Sequence, residues 1–254
     1  MGGMAGQVLG CTVGVVRLPG GMLFFKNRDL EGRYLAGRIT AFESTPEMYA
    51  LRGVNLETGE VEGISIGVNR HRVCVANTHI LSTPGVTYDV LCEQLLHEVR
   101  DRADVPPLVE AFVAAREVQG GRILVAAPGW AYLVEVLNDR HAIQAVDGSL
   151  AITNTFCLLP QPPGRPEVRD ESSASRLRQA SQAVPGIAGI GPLKALLRSH
   201  LPDKGDLSIC NHRPDGGGTE GSYIVEIQGE TVCWSTLLGF PCENDYHLVQ
   251  LFQG

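Results

Sequence analysis

The chain opens on a hairpin. Residues 12–18 read Thr-Val-Gly-Val-Val-Arg-Leu, a β-branched run, and Pro19-Gly20-Gly21 turns the backbone. Met22–Asp29 returns it as a second strand that ends in Lys26-Asn27-Arg28-Asp29. Cys11 stands at the head of this hairpin, where the basic and acidic side chains of the return strand lie close to it. That placement suits a thiol that attacks while the free α-amine of the same residue serves as its base. Ten residues precede Cys11. Either they are removed by cleavage at Gly10-Cys11, or the residue never acquires a free amine.

The rest of the chain reads as further strands around two helical pairs. Gly63–Asn69 pairs through Arg70-His71 with Arg72–Asn77. Thr87 to Arg100 places Leu91, Cys92, Leu95, Leu96 and Val99 on one helical face, and Pro106 to Val118 does the same with Leu108, Val109 and Phe112. Asp104 is a candidate cap for the second helix, which stops at Gly120-Gly121. Strands are expected at Arg122–Ala126, Ala131–Val136 and Leu150–Asn154, then a proline-rich connection at Pro160–Pro166. Helices at Ser173–Ala183 and Pro192–His200 precede strands near Leu207–Asn211, Tyr223–Ile227, Thr231–Leu237 and Tyr246–Phe252. This order suits an α+β protein with two sheets packed face to face between helical layers.

A length of 254 residues permits a substantial core, and a net charge of -7 gives no general attraction to nucleic acid or anionic membranes. No apolar stretch approaches a membrane span, and Met1–Gly10 lacks the basic and apolar regions of a secretory signal. The expectation is a soluble, cytoplasmic protein with a leader at 1–10 and one domain over 11–254. Seven cysteines without a Cys-x-x-Cys pair argue against a disulfide framework or a zinc ribbon. Cys74, Cys92, Cys157, Cys210 and Cys233 lie in apolar runs and read as buried, inert thiols.

Several short motifs follow in order: Gly10-Cys11-Thr12, Lys26-Asn27-Arg28-Asp29, Gly67-Val68-Asn69 running to Asn77, Leu133-Val134-Glu135, Ile152-Thr153-Asn154, Ser172–Arg176 and Ile209-Cys210-Asn211-His212. Together they resemble the penicillin acyltransferase and choloylglycine hydrolase group of cysteine N-terminal nucleophile (Ntn) hydrolases, from Cys11 nearly to the end of the chain. The resemblance implies a four-layer αββα sandwich. It also implies that Cys11 is the nucleophile, exposed by self-cleavage after Gly10, and that Asp29 orients its α-amine. Where the group has an arginine three residues before that aspartate, this chain has Lys26. Arg28, on the same strand face, is the other candidate for the cation that favours the thiolate. Asn154 matches the oxyanion donor, Asn77 a second polar group near the nucleophile, and Arg176 an arginine that orders the site from a helix.

The chemistry implied is cleavage of a carbon–nitrogen amide through a Cys11 thioester, with a small-molecule substrate and no metal or organic cofactor. Two alternatives stay open: acyl transfer from a coenzyme A or carrier-protein thioester to a small-molecule amine, and a non-catalytic binding module. Oligomeric state is likewise open, a homo-oligomer included. Two other patterns mislead. Gly63-Ile-Ser65-Ile-Gly67 fits a nucleophile elbow, but a strand rather than a helix follows it. Gly216-Gly217-Gly218-Thr219-Glu220 lacks the lysine of a phosphate loop and reads as a flexible connection. His212, after an expected strand, reads as a turn residue or a satisfied polar group.

Overall fold

The computed structural model describes residues 10–32, 40–55, 58–162, 167–214 and 216–253. The expected leader, apart from Gly10, and residues 163–166 of the proline-rich connection lie outside them. The opening hairpin is β1 (Thr12–Leu18) and β2 (Gly21–Leu30). Then come β3 (Phe42–Ser44), β4 (Met48–Val54), β5 (Val61–Asn69) and β6 (Cys74–Leu81). The first helical pair is α1 (Tyr88–Glu98) and α2 (Val105–Ala115), followed by β7 (Val118–Ala127), β8 (Trp130–Asn138), β9 (Arg140–Ala145) and β10 (Leu150–Ile152). Helices α3 (Glu167–Ala183) and α4 (Ile190–Leu197) lead to β11 (Gly218–Gln228), β12 (Thr231–Leu238) and β13 (His247–Leu251). One sheet has the order β10-β1-β2-β11-β12-β13, and the other runs β3 to β9 in sequence. The named strands pair antiparallel throughout.

Strand alternation explains the layering. Val13, Val15, Met22 and Phe24 of the first sheet meet Ile66, Val68, Cys74 and Ala76 of the second in a central core. Their neighbours Val16, Leu23 and Phe25 face outward onto Ala180, Val184, Leu193 and Leu197 of the α3–α4 layer. On the far side Val73, Val75, Ile123 and Val125 pack beneath α1 and α2. The result is the expected α+β, four-layer αββα sandwich. Each fully buried side chain of this kind contributes about 1.5–3 kcal/mol. The same alternation decides where the polar residues go. Lys26 and Arg28 continue the row of Phe24 into the space between the sheets, opposite Val13 and Cys11. Asn27 faces the helices, where its amide donates to Leu197 O and Ile209 O.

Local details depart from the sequence reading. Leu207–Asn211 is not a strand: it is buried, non-repetitive chain held by Cys210 N donating to Ser199 O and Ser208 Oγ donating to Cys210 O. Its apolar character reflects burial, which periodicity alone does not distinguish from a strand. Strands β3, β4 and β9 were not expected, because they are short, interrupted or half-exposed and lack a clean alternation. Asp104 does not cap α2 with its side chain. It accepts instead from Arg100 N and Asp101 N in a capping box with Asp101. Among the thiols, Cys157 is exposed and Cys233 half-buried, contrary to expectation.

Gly63 is not part of an elbow. It lies within β5 at φ +60, and a Cβ there would come 2.1 Å from the carbonyl carbon of Asp89. Only glycine lets the start of α1 press this closely on the sheet. Gly63→Ala should therefore lower stability by more than about 2 kcal/mol, read as a fall in the denaturant midpoint at unchanged slope.

Candidate active site

Cys11 is buried at the head of β1 and lines a narrow depression between the sheets, with Lys26, Arg28, Asp29, Ser65, Asn77, His79, Tyr88 and Asp89. Each expected site residue is buried. Arg176 reaches from α3 to the hairpin. Its guanidinium donates to Cys11 O at 2.7 Å, to Thr12 Oγ1 at 3.2 Å and to Asn154 Oδ1 at 3.1 Å. A Cβ on Gly10 would fall 2.9 Å from Asp29 Oδ2 and 3.0 Å from the Arg176 guanidinium. The Gly10-Cys11 peptide thus lies directly over the Asp29–Arg176 pair.

Asp29 is fixed from the other side. Asn211 Nδ2 donates to Asp29 Oδ2 at 3.0 Å, and Thr219 Oγ1 to Asp29 Oδ1 at 2.8 Å. Thr219 belongs to β11, so the glycine-rich segment read as a connection is strand from Gly218 onward. Gly218 has φ +138 and lies against Asn211 O, where a Cβ would come within 2.2 Å.

Asn154 follows β10. Its Oδ1 accepts from Arg176, and its Nδ2 donates one hydrogen to His79 O at 2.8 Å. The turn that carries it is locked by Thr78 Oγ1 donating to Thr153 O and by Ser173 on α3 bonding Thr153 and Thr155. Buried Glu135 pairs with Arg122 at 3.0 Å and accepts from the backbone N–H of Cys157, Leu158 and Leu159, which holds the next stretch of chain.

Lys26 and Arg28 share a strand face but not their partners. Lys26 Nζ donates within 3.1 Å to Ser65 O, Ser65 Oγ, Asn77 O and Asn77 Oδ1. The Asn77 amide in turn donates to Ile64 O and to Asp89 Oδ1, so it links Lys26 to Asp89 and has no hydrogen left for an oxyanion. Arg28 faces Glu220 at 3.8 Å, too far for a hydrogen bond.

No protein-family model matches the chain, and no curated protein sequence matches it either. Solved structures do. Penicillin V acylase from Agrobacterium tumefaciens superposes with a TM-score of 0.56 at 8% identity, over 95% of this chain and 86% of the acylase. A mutant of the conjugated bile acid hydrolase from Clostridium perfringens gives 0.51 at 10% identity, over 95% and 92% of the two chains. The Caenorhabditis elegans ortholog of N-acylethanolamine-hydrolyzing acid amidase gives 0.50 at 13%, over 86% and 93%. The chain has the Ntn-hydrolase fold.

Within that fold the site contains groups that the sequence did not single out. Asp89, in the first turn of α1, looks in sequence like an ordinary helix-start carboxylate. Here it is buried beside Asn77 and within the field of Lys26 and Arg28. Asn211, part of one of the quoted motifs but given no role there, and Thr219, in the glycine-rich segment, hold Asp29. Ser65 was correctly read as a strand residue, yet its hydroxyl receives Lys26. His79 is the one newcomer with a sequence signal, since it follows Asn77 at strand period.

Burial sets the electrostatics. It pushes Asp29 up to about 6, against the opposing attraction of Arg176 and the hydrogen bonds from Thr219 and Asn211. It pushes Asp89 up to about 7, opposed by Lys26, Asn77 and Arg28 and reinforced by Glu62. It also lowers Lys26 and Arg176 from their ordinary values. A carboxylate whose pKa is higher folded than unfolded binds its proton more tightly in the native state. Its contribution is therefore complete in acid and lost as pH rises from about 4 to about 7. Stability of the intact chain should fall across that window by an amount on the order of a few kcal/mol. Asp89→Asn, which keeps an acceptor for Asn77, should flatten the fall; urea midpoints measured at several pH values check this.

Proposed function

We propose that the protein is a cysteine Ntn amidohydrolase that matures by cleaving its own Gly10-Cys11 bond, leaving a catalytic domain over 11–254. The observation that carries this is the convergence of Asp29, Arg176, Asn154 and Lys26 around the head of β1 in the fold of amide-cleaving enzymes. In maturation the Cys11 thiol attacks the Gly10 carbonyl and the acyl group moves from nitrogen to sulfur, which breaks the peptide bond and frees the α-amine; water then hydrolyses the thioester, releasing the leader as a carboxylate and restoring the thiol. A glycine at position 10 is the residue that fits against Asp29 and Arg176.

In turnover the α-amine accepts the thiol proton while Asp29 orients it, and sulfur attacks the substrate carbonyl. Lys26 is the cation we assign to the thiolate. Of the charged groups that oppose its desolvation, Cys11 acts most strongly, whereas Arg28 answers first to Glu220. Asn154 Nδ2, with its carbonyl held by Arg176, is the oxyanion donor. We assign Asn77 to positioning Lys26 rather than to contact with the substrate. The amine leaves with the proton carried by the α-amine, and water resolves the Cys11 thioester. No helix among the described residues is long and apolar enough to cross a membrane. We assign the protein to the cytoplasm, a reading supported by seven unpaired cysteines.

Purified wild-type protein should lose ten residues without added protease, and Cys11→Ala should keep them, as read by intact mass. Retention in both would remove the self-cleaving mechanism. For turnover, protein expressed to begin at Cys11 is assayed against a panel of amides and acyl thioesters, with and without an acceptor amine. Hydrolysis of an amide supports the hydrolase. Product formed only with an acceptor from a coenzyme A or carrier thioester would make the protein an acyltransferase, and no turnover by the confirmed mature chain would make it a binding module.

Asn154→Ala should lower kcat by about 10²–10³ while KM stays close to wild type, because the oxyanion exists only after attack. A variant whose only defect is a raised KM would return Asn154 to a turn role.

A further inference from the structure

Around the segment that carries Asn211, four donor side chains from three separate segments meet. His200 follows α4, Cys210 and His212 flank Asn211, and Cys242 lies between β12 and β13. Their ligating atoms all fall within 4.8 Å of one another, the one such group among the described residues. His212 Nε2 is 3.3 Å from His200 Nε2, 3.5 Å from Cys210 Sγ and 3.3 Å from Cys242 Sγ. A neutral imidazole nitrogen carries either one hydrogen or one lone pair, so hydrogen bonding satisfies at most one of those three contacts well. A single ion at their centre satisfies all four atoms together.

The distances fit such an ion. With metal–nitrogen bonds of about 2.0–2.1 Å and metal–sulfur bonds of about 2.3 Å, a regular tetrahedron has nitrogen–nitrogen edges of about 3.3–3.4 Å and nitrogen–sulfur edges of about 3.5–3.6 Å. We propose that His200, Cys210, His212 and Cys242 form a tetrahedral site for a divalent metal of zinc type. Two thiolates and two neutral imidazoles leave the loaded site uncharged, and an S₂N₂ set of this shape selects zinc over magnesium, calcium or manganese. Four protein ligands leave no open position, so the ion is structural and takes no part in the chemistry at Cys11. Its task is to clamp the three segments. The ring of His212 stacks on Phe240 with centroids 4.0 Å apart, which brings the β12–β13 loop against the same point. Between the ligands Cys210 and His212, Asn211 is held in the position from which it donates to Asp29. The sequence hides the site because its ligands are separated by nine, one and twenty-nine residues, a spacing unlike any zinc ribbon.

The test uses untagged full-length protein grown with added zinc and purified without chelator. Elemental analysis should find about one zinc per chain, falling at least tenfold in Cys210→Ser/Cys242→Ser. Zinc-free protein reloaded with cobalt(II) should show the intense visible bands of a tetrahedral ion and a thiolate-to-cobalt charge-transfer band, both lost in the same variant. If that variant does not fold, the wild-type stoichiometry and cobalt spectrum decide alone. Metal-free wild-type protein whose Cys210 and Cys242 alkylate equally fast with and without zinc would overturn the proposal. So would a Cys210–Cys242 disulfide in the native protein, or undiminished zinc in the double variant.

Discussion

One buried guanidinium organises this molecule. Arg176 is 1% exposed, and its donors are shared among the carbonyl of Cys11, the hydroxyl of Thr12 and the amide of Asn154. A charge this deep costs several kcal/mol to desolvate and is tolerated only with good geometry and a full set of partners. Those partners come from the first strand, the turn after β10 and, through attraction, the Asp29 carboxylate of β2. The helix that carries Arg176 is itself fastened to that turn by Ser173 and to the segment before β11 by Ser172 donating to Asp206 O. Placement of Cys11, Asp29 and Asn154 is therefore one problem with one solution.

Across the sheets a second cluster of charge is built on the same logic. Lys26 is enclosed by four oxygen acceptors from two strands of the opposing sheet, and Asn77 passes the contact on to Asp89. The compact ammonium suits this cage, where a planar guanidinium would need a bidentate partner. Both carboxylates of the site are driven toward their neutral forms by burial, so the site stores a protonation equilibrium near neutral pH.

The proposed metal site extends this frame to a third layer of contacts. Two of its ligands flank Asn211, which donates to Asp29, so a clamp on three segments connects to the neighbourhood of Cys11 through two hydrogen-bonded side chains. Loops of this kind contribute few apolar contacts, and small or irregular regions are where a bound ion adds most to order. Three of its four ligands are half-buried, so the cluster does not belong to the apolar core.

The sequence by itself determined the opening hairpin, both helical pairs and most of the strands, because these depend on local periodicity and turn chemistry. Thr12–Leu18 was legible to the residue, and Cys11, Asp29, Asn154 and Arg176 were legible as an ordered set through the motifs they share with known enzymes. What only the tertiary structure decided is how side chains distant in sequence share one buried space. That Lys26 answers to Ser65, Asn77 and Asp89, that Asn77 bridges Lys26 and Asp89, and that Asn211 and Thr219 hold Asp29 all follow from two sheets being pressed together. So does the meeting of His200, Cys210, His212 and Cys242. Desolvation and hydrogen-bond geometry act through space, and no spacing along the chain encodes them until the sandwich closes.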